Sequence, residues 1–279
     1  MIIDQRTFKV RDSNNLKLYI KETGKPKWIV ATHGLGEHGL RHQYLIETFS
    51  PFYNICLYDL RGHGESEGMR GDITSFTPFV HDLVDLIKFL ESSYKMDEFV
   101  LYGHSMGGLI LSNLIKDYPE VALRAKCLFL SSPAVKGAGL GVPLSYLPLG
   151  AHENITKLPL SLKVKGLLNL KKLSHDPQIY ENYVRDNKNN LKISLRFFLN
   201  IIKTCKYVFS EPLETKKIPL YVAIGTSDVL VDPKACIEFF ENNGGRTKLR
   251  VVDGGFHELF NETSPFRTPF MEFIKAAFE

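Results

Sequence analysis

Short apolar runs, each of strand length and each closed by turn residues, pace this chain: KWIVATH (27–33), NICLYDL (54–60), FVLYGH (99–104), KCLFLSS (126–132), PLYVAIG (219–225) and KLRVVDG (248–254). Near-continuous Val, Ile and Leu without period-two alternation is the pattern of strands buried on both faces, as in a parallel sheet covered by helices. The intervals supply those helices. Phe76, Phe79, Val80, Leu83, Ile87 and Leu90 recur at three- and four-residue steps, as do Phe266, Phe270, Phe273, Ile274 and Phe278. Two β-rich runs, TFKV and LKLYIKE, precede the first parallel strand. The alternation predicts an α/β fold: a mostly parallel central sheet with helices on both faces. At 279 residues and 44% hydrophobic content, one such domain has ample core.

The alternation breaks between about 135 and 217. GAGLGVPLSYLPLGAH (137–152) contains no Asp, Glu, Lys or Arg, and LKISLRFFLNIIKTC further on has helical periodicity. This segment reads as a mainly helical cap inserted into a core made of 1–134 and 218–279, placed over the strand ends where open α/β sheets bind ligands. Residues 135–217 hold 14 Lys/Arg against 6 Asp/Glu, a surplus of +8 in a chain whose net charge is +4.

The run FVLYGHSMGGLILSNLI places Gly103-His104-Ser105-Met106-Gly107 between a strand and a helix. G-x-S-x-G in that context is a nucleophile elbow, a sharp turn that lifts the serine hydroxyl clear of the sheet edge. A serine needs a base. His257, after the last strand and two glycines, fits the chain order Ser, acid, His. For the acid, Asp228 and Asp232 compete in GTSDVLVDP; Asp232 precedes Pro233 and an apolar helix and reads as an N-cap, so Asp228 is the expected partner. Asp253 and Glu258 sit too close to His257 along the chain. The backbone N–H groups of Met106 and Leu35, the latter in the HG loop, are the expected oxyanion donors.

That HG loop contains GLGEHG (34–39), which spells a dinucleotide fingerprint, with Asp59 ending the next strand. Glu37 would meet a pyrophosphate there, and an NAD or FAD oxidoreductase leaves Ser105, Asp228 and His257 unused, so this reading is disfavoured. A metal site from His33, His38 and His42 lacks ligand spacing of a known kind. No cofactor and no metal are expected.

The combination HGLGEHGLRH, YDLRGHGESEGMRG, GHSMGG, GTSDVLVDP and GGFHELFNE, with LSHDPQIYENYVRDN in the cap, resembles the monoacylglycerol lipase and lysophospholipase branch of the α/β-hydrolase superfamily over nearly the whole chain. The resemblance implies a serine esterase acting on monoacylglycerols or similar single-chain lipid esters through an acyl-enzyme. It also implies that Glu37 and Arg41 hold the glycerol end of the substrate. His104, Leu144 and Leu147 are further expected substrate contacts, and Asp59, Arg61 and His63 are expected to brace the neighbouring loop. Lysophospholipase, carboxylesterase of small esters, peptidase, and a ligand-binding receptor on a hydrolase fold are the alternatives.

The modest net charge argues against nucleic acid, and no obligate protein partner is evident. Basic charge beside the cap's leucines suggests transient contact with a membrane surface. The opening residues show no apolar signal segment, no run reaches the ~18 residues of a membrane span, and the four cysteines lack C-x-x-C spacing. A cytoplasmic protein with reduced thiols, peripheral to membranes at most, is expected.

Overall fold

A computed structural model describes residues 3–136, 163–166, 169–216 and 218–279. Leu144 and Leu147, the run 137–152 and Leu158, Leu160, Leu162, Leu167 and Leu168 lie outside the described residues. Eight strands form one sheet: β1 (Asp4–Lys9), β2 (Asn15–Lys21), β3 (Lys27–Thr32), β4 (Asn54–Tyr58), β5 (Glu98–His104), β6 (Leu128–Ser131), β9 (Leu220–Gly225) and β10 (Thr247–Val252). Their spatial order is β1-β2-β4-β3-β5-β6-β9-β10. From β4 to β10 all neighbours are parallel; β1 and β2 join as an antiparallel edge. All eight runs singled out above are strands of this sheet.

Helices cover both faces: α1 (Tyr44–Phe49), α2 (Thr77–Tyr94), α3 (Met106–Asp117), α4 (Pro119–Ala122), α7 (Pro233–Asn242) and α8 (Ser264–Phe278). Each face buries its own core. One is built on Leu83, Leu101, Leu109 and Val222, the other on Ile29, Leu57, Phe129 and Phe270. Between β6 and β9 lie α5 (Pro177–Arg185) and α6 (Leu195–Val208), capped by Asp176 and Ser194, whose side chains accept from Gln178 N and Phe197 N. The same segment contains a short antiparallel ladder, β7 (Lys163–Lys165) with β8 (Lys192–Ser194), that the helical periodicity did not signal.

The chain order turns back on either side of β3, which lies between β4 and β5. This is the switch point at which connections leave in opposite directions and open a crevice above the strand ends. The loops after β3, β5, β9 and β10 all face it.

β5 runs into α3 with a single residue, Ser105, between them. So abrupt a reversal forces close approach. A Cβ on Gly103 would lie 2.6 Å from Gly107 O, and one on Gly107 would lie 2.1 Å from Thr32 O and 2.7 Å from His33 O. All three are backbone oxygens of buried residues and have no room to retreat. Gly107→Ala is therefore expected to cost about 2–4 kcal/mol, at or above the usual range for overpacking. Urea unfolding measures it, and an unchanged midpoint would contradict the packing described.

Candidate active site

Ser105 has φ +54° and ψ −114°, a region that a residue with a side chain occupies only under constraint. Its N–H donates to Ser131 O at 2.9 Å and its carbonyl accepts from Ala134 N at 3.1 Å, so β6 and the loop after it hold the turn on both sides. As the first residue of α3, Met106 has an N–H without an intrahelical acceptor. The HG loop crosses directly in front: a Cβ on Gly34 would sit 3.1 Å from Ser105 Cβ. Leu35 and Met106 line the same cavity as Ser105.

His257 arrives from the other side on the loop after β10. Its Nδ1 donates to Asp228 Oδ2 at 2.6 Å, and both side chains are buried. The remaining carboxylate oxygen, Oδ1, accepts from Leu230 N and Val231 N at 2.8 and 3.2 Å, which fixes the acid's orientation. Ser132 Oγ donates to His257 O at 2.8 Å and anchors the backbone there. Asp232 serves the helix instead, accepting from Ala235 N at 3.1 Å ahead of Pro233. Asp253 accepts from Thr226 and Glu258 from Arg41. With Nδ1 committed to Asp228, the proton-accepting nitrogen of a neutral His257 is Nε2.

Burial alone would push the His257 imidazole down; the charge and hydrogen bond of Asp228, helped by Glu258 and Glu37, outweigh it and raise the group above its ordinary 6.5. His104 packs its ring 4.9 Å from that of His257, and burial drives it well below the ordinary value. Its Nδ1 lies 3.1 Å from Ser131 O, a bond that needs the proton on Nδ1.

The GLGEHG loop is held by a network of its own. Glu37 Oε1 accepts from Gly34 N at 2.5 Å and pairs with His42 Nε2 at 3.0 Å; Oε2 accepts from Arg41 Nε at 3.0 Å. Arg41 also donates to both oxygens of Glu258 at 2.6 Å and lies over the Tyr183 ring at 4.7 Å. Arg41 thus ties the HG loop to the loop after β10 through two carboxylates. Glu37 does line the cavity. Burial opposes ionisation of Glu37, but His42, His104 and Arg41 more than compensate and keep it well below the usual carboxylate range.

His33 bridges two loops, with Nδ1 to Gly34 O at 2.8 Å and Nε2 accepting from Leu60 N at 2.9 Å. His38 turns to Asp186 of the cap at 2.8 Å, so His33, His38 and His42 face three different partners. Asp59, placed like a ribose-binding acid, instead accepts from Gly39 N at 2.8 Å, Glu65 N at 2.8 Å and Tyr19 OH at 3.0 Å. Arg61 forks onto Asp82 at 2.6 and 2.7 Å.

The cavity over Ser105 is divided in chemistry. Glu37, Tyr183, His257 and Glu258 give it a polar end, while Phe198, Ile201 and Ile202 of α6, with Leu230, Val231 and Leu173, give it an apolar one. The apolar stripe of α6 was visible as periodicity, but nothing in the sequence aimed it at Ser105. Tyr183 carried no local signal.

A strained serine between strand and helix, a buried His–Asp pair and the HG loop, all above a mostly parallel sheet, define an α/β-hydrolase. The family model described as serine aminopeptidase, S33 (Hydrolase_4) matches residues 24–264, and the chain belongs to that family. It is 30% identical over 236 residues to phospholipase YtpA of Bacillus subtilis, covering 84% of this chain and 88% of that protein. It is 26% identical over 264 residues to the monoglyceride lipase of Homo sapiens, covering 88% and 80%. A soluble variant of the Saccharomyces cerevisiae monoglyceride lipase, in complex with a substrate analog, superposes with a TM-score of 0.83 at 18% identity, covering 99% of this chain and 95% of that one. The chain is a carboxylic ester hydrolase of this superfamily.

Because a general base must be neutral to accept a proton, activity should rise with pH through the His257 pKa, placing the acid limb of kcat/KM above 6.5. Glu258→Gln removes a charge that raises this pKa and should move the limb to lower pH. A limb unmoved or displaced upward would contradict that electrostatic assignment.

Proposed function

We propose that the protein hydrolyses monoacylglycerols or closely related single-chain lipid esters by way of a Ser105 acyl-enzyme. The observation that carries this reading is the two-ended cavity over Ser105, apolar toward α6 and polar toward Glu37 and Tyr183. An ester bridging those ends puts its acyl chain on Phe198 and Ile201 and its alcohol beside Glu37, with the carbonyl over the serine. Each buried methylene contributes ~0.8 kcal/mol to holding it there.

Ser105 Oγ attacks the ester carbonyl as His257 Nε2 takes its proton, and the carbonyl oxygen becomes an oxyanion facing the N–H groups of Leu35 and Met106. Asp228 keeps the imidazole in the Nδ1–H form and stabilises the imidazolium. Collapse breaks the bond to the alcohol, which leaves with the proton from His257. Water, deprotonated by the same imidazole, then releases the carboxylic acid and restores Ser105. Glu37 is the candidate acceptor for a glycerol hydroxyl, and Arg41 acts behind it by fixing its direction.

The relatives' names support a lipid ester; the family description also names an aminopeptidase. A free α-ammonium calls for an unneutralised carboxylate beside the nucleophile. Glu37 and Glu258 are both engaged by Arg41, which favours a neutral alcohol over a charged amino terminus.

A fluorophosphonate probe should label the wild type and not Ser105→Ala, and Ser105→Ala should lose roughly 10⁴-fold or more in kcat. Medium-chain monoacylglycerols should exceed p-nitrophenyl acetate and an aminoacyl amide in kcat/KM. Preference for the amide would overturn the ester reading, and preference for acetate the lipid one.

Membrane contact is the second element of the proposal. Exposed Lys171 and Lys172 flank Leu170 and Leu173, which line the cavity, and no helix among the described residues is long and apolar enough to cross a membrane. Each lysine near an anionic surface contributes about 1 kcal/mol. Flotation with phosphatidylserine vesicles should recover more protein than with neutral vesicles, and the double change Lys171→Glu, Lys172→Glu should abolish the difference. Equal recovery at the outset would count against docking.

A further inference from the structure

The backbone on either side of His257 is held from the segment between β6 and β9. Glu258 N, one residue after the histidine, donates to Leu173 O at 2.8 Å. Phe256 N, one residue before it, donates to Glu262 Oε1 at 2.8 Å. That carboxylate leads back to the same segment, because Oε1 also accepts from His175 Nδ1 at 2.9 Å and Oε2 accepts from His175 N at 3.0 Å. Thr263 N adds a donor to Oε2 at 3.2 Å. The Glu262 side chain has no exposed surface. These donors stand in for water, and losing one leaves a buried acceptor short of a partner.

The rings repeat the connection. That of His175 lies 3.7 Å from the Phe256 ring at 17° and 4.5 Å from the Phe266 ring at 19°. Two near-parallel rings so close to a third can only take its opposite faces, so the imidazole fills a slot between the base loop and α8. Lys172 Nζ lies over the Phe256 ring at 4.6 Å. His175 thus holds Phe256 twice, ring on ring and through a shared carboxylate oxygen. Asp228 orients the His257 imidazole but leaves its backbone to these neighbours and to Ser132.

We propose that His175 and Glu262 are positioning residues for His257: by fixing Phe256 they set where Nε2 stands between Ser105 Oγ and the leaving oxygen. The proposal rests on the ester-hydrolase reading, in which His257 is the base, and adds to it that the base is in place only while His175 is seated. A misplacement of about 1 Å is enough to cost roughly 10²-fold in such proton transfers.

The leaving group separates positioning from mere stability. An alkoxide must receive the proton from His257 as the bond breaks, whereas p-nitrophenolate departs as a stable anion. The test therefore compares kcat/KM for monooctanoylglycerol and p-nitrophenyl octanoate, which share an acyl chain, with unfolding midpoints confirming that each variant is folded at the assay temperature. His175→Ala removes both the ring and the donor, and Glu262→Gln keeps the size while turning a donor toward N–H groups. Each should lower the glyceride-to-nitrophenyl ratio by about tenfold. His175→Asn, which returns an N–H near the position of Nδ1, should recover part of that loss. Equal losses on the two esters, or none, in the variants that fold would overturn the positioning role while leaving the hydrolase reading intact. A wild type inert toward both esters would overturn the two together.

Discussion

A serine held at φ +54° is the constraint on which the rest depends. Backbone in that region costs about 1–3 kcal/mol, and nothing local to Ser105 offsets it. The compensation comes from β5 lying between β3 and β6, from Ser131 and Ala134 bonding the turn, and from glycines at 103 and 107 that let α3 press onto the strand ends. The sheet is thereby a device for holding one hydroxyl in a place that the chain would not choose. The other loops are then set against that fixed point, the HG loop in front and the His257 loop to the side.

Charge is distributed around the site with similar economy. Arg41 lies between Glu37 and Glu258, so one guanidinium ties the loop bearing Leu35 to the loop bearing His257. A buried pair of this kind is weak as a source of net stability but strict as to geometry, because breaking it leaves an unpaired charge inside. Tyr183, stacked on the same guanidinium, brings the cap into that arrangement.

Much of this was legible in advance, for identifiable reasons. The parallel strands announce themselves because burial on both faces leaves no polar alternation. Asp228 could be told from Asp232 because a Pro after Asp232 marks a helix start, and that helix does begin there. The GLGEHG stretch was separable from a nucleotide loop because Glu37 would repel a phosphate. What could not be read were the long-range partnerships that no motif marks. Arg41 meets Glu258 across 217 residues and His38 meets Asp186 across 148, and neither has local periodicity or spacing to betray it. The β7–β8 ladder escaped notice for another reason, since three-residue strands are too short to show a period.

The cap's attachments carry a consequence for protein engineering. Asp186 bonds His38, Asn190 N bonds Gly36 O at 2.7 Å, and Leu173 O accepts from Glu258 N at 2.8 Å. Each of those body residues belongs to the loop that carries Leu35 or the one that carries His257. The segment between β6 and β9 is thus no interchangeable module. A transplant that ignores these three joints would leave the recipient with the right nucleophile and misaligned loops around it, so the graft and its landing loops have to be exchanged as one unit.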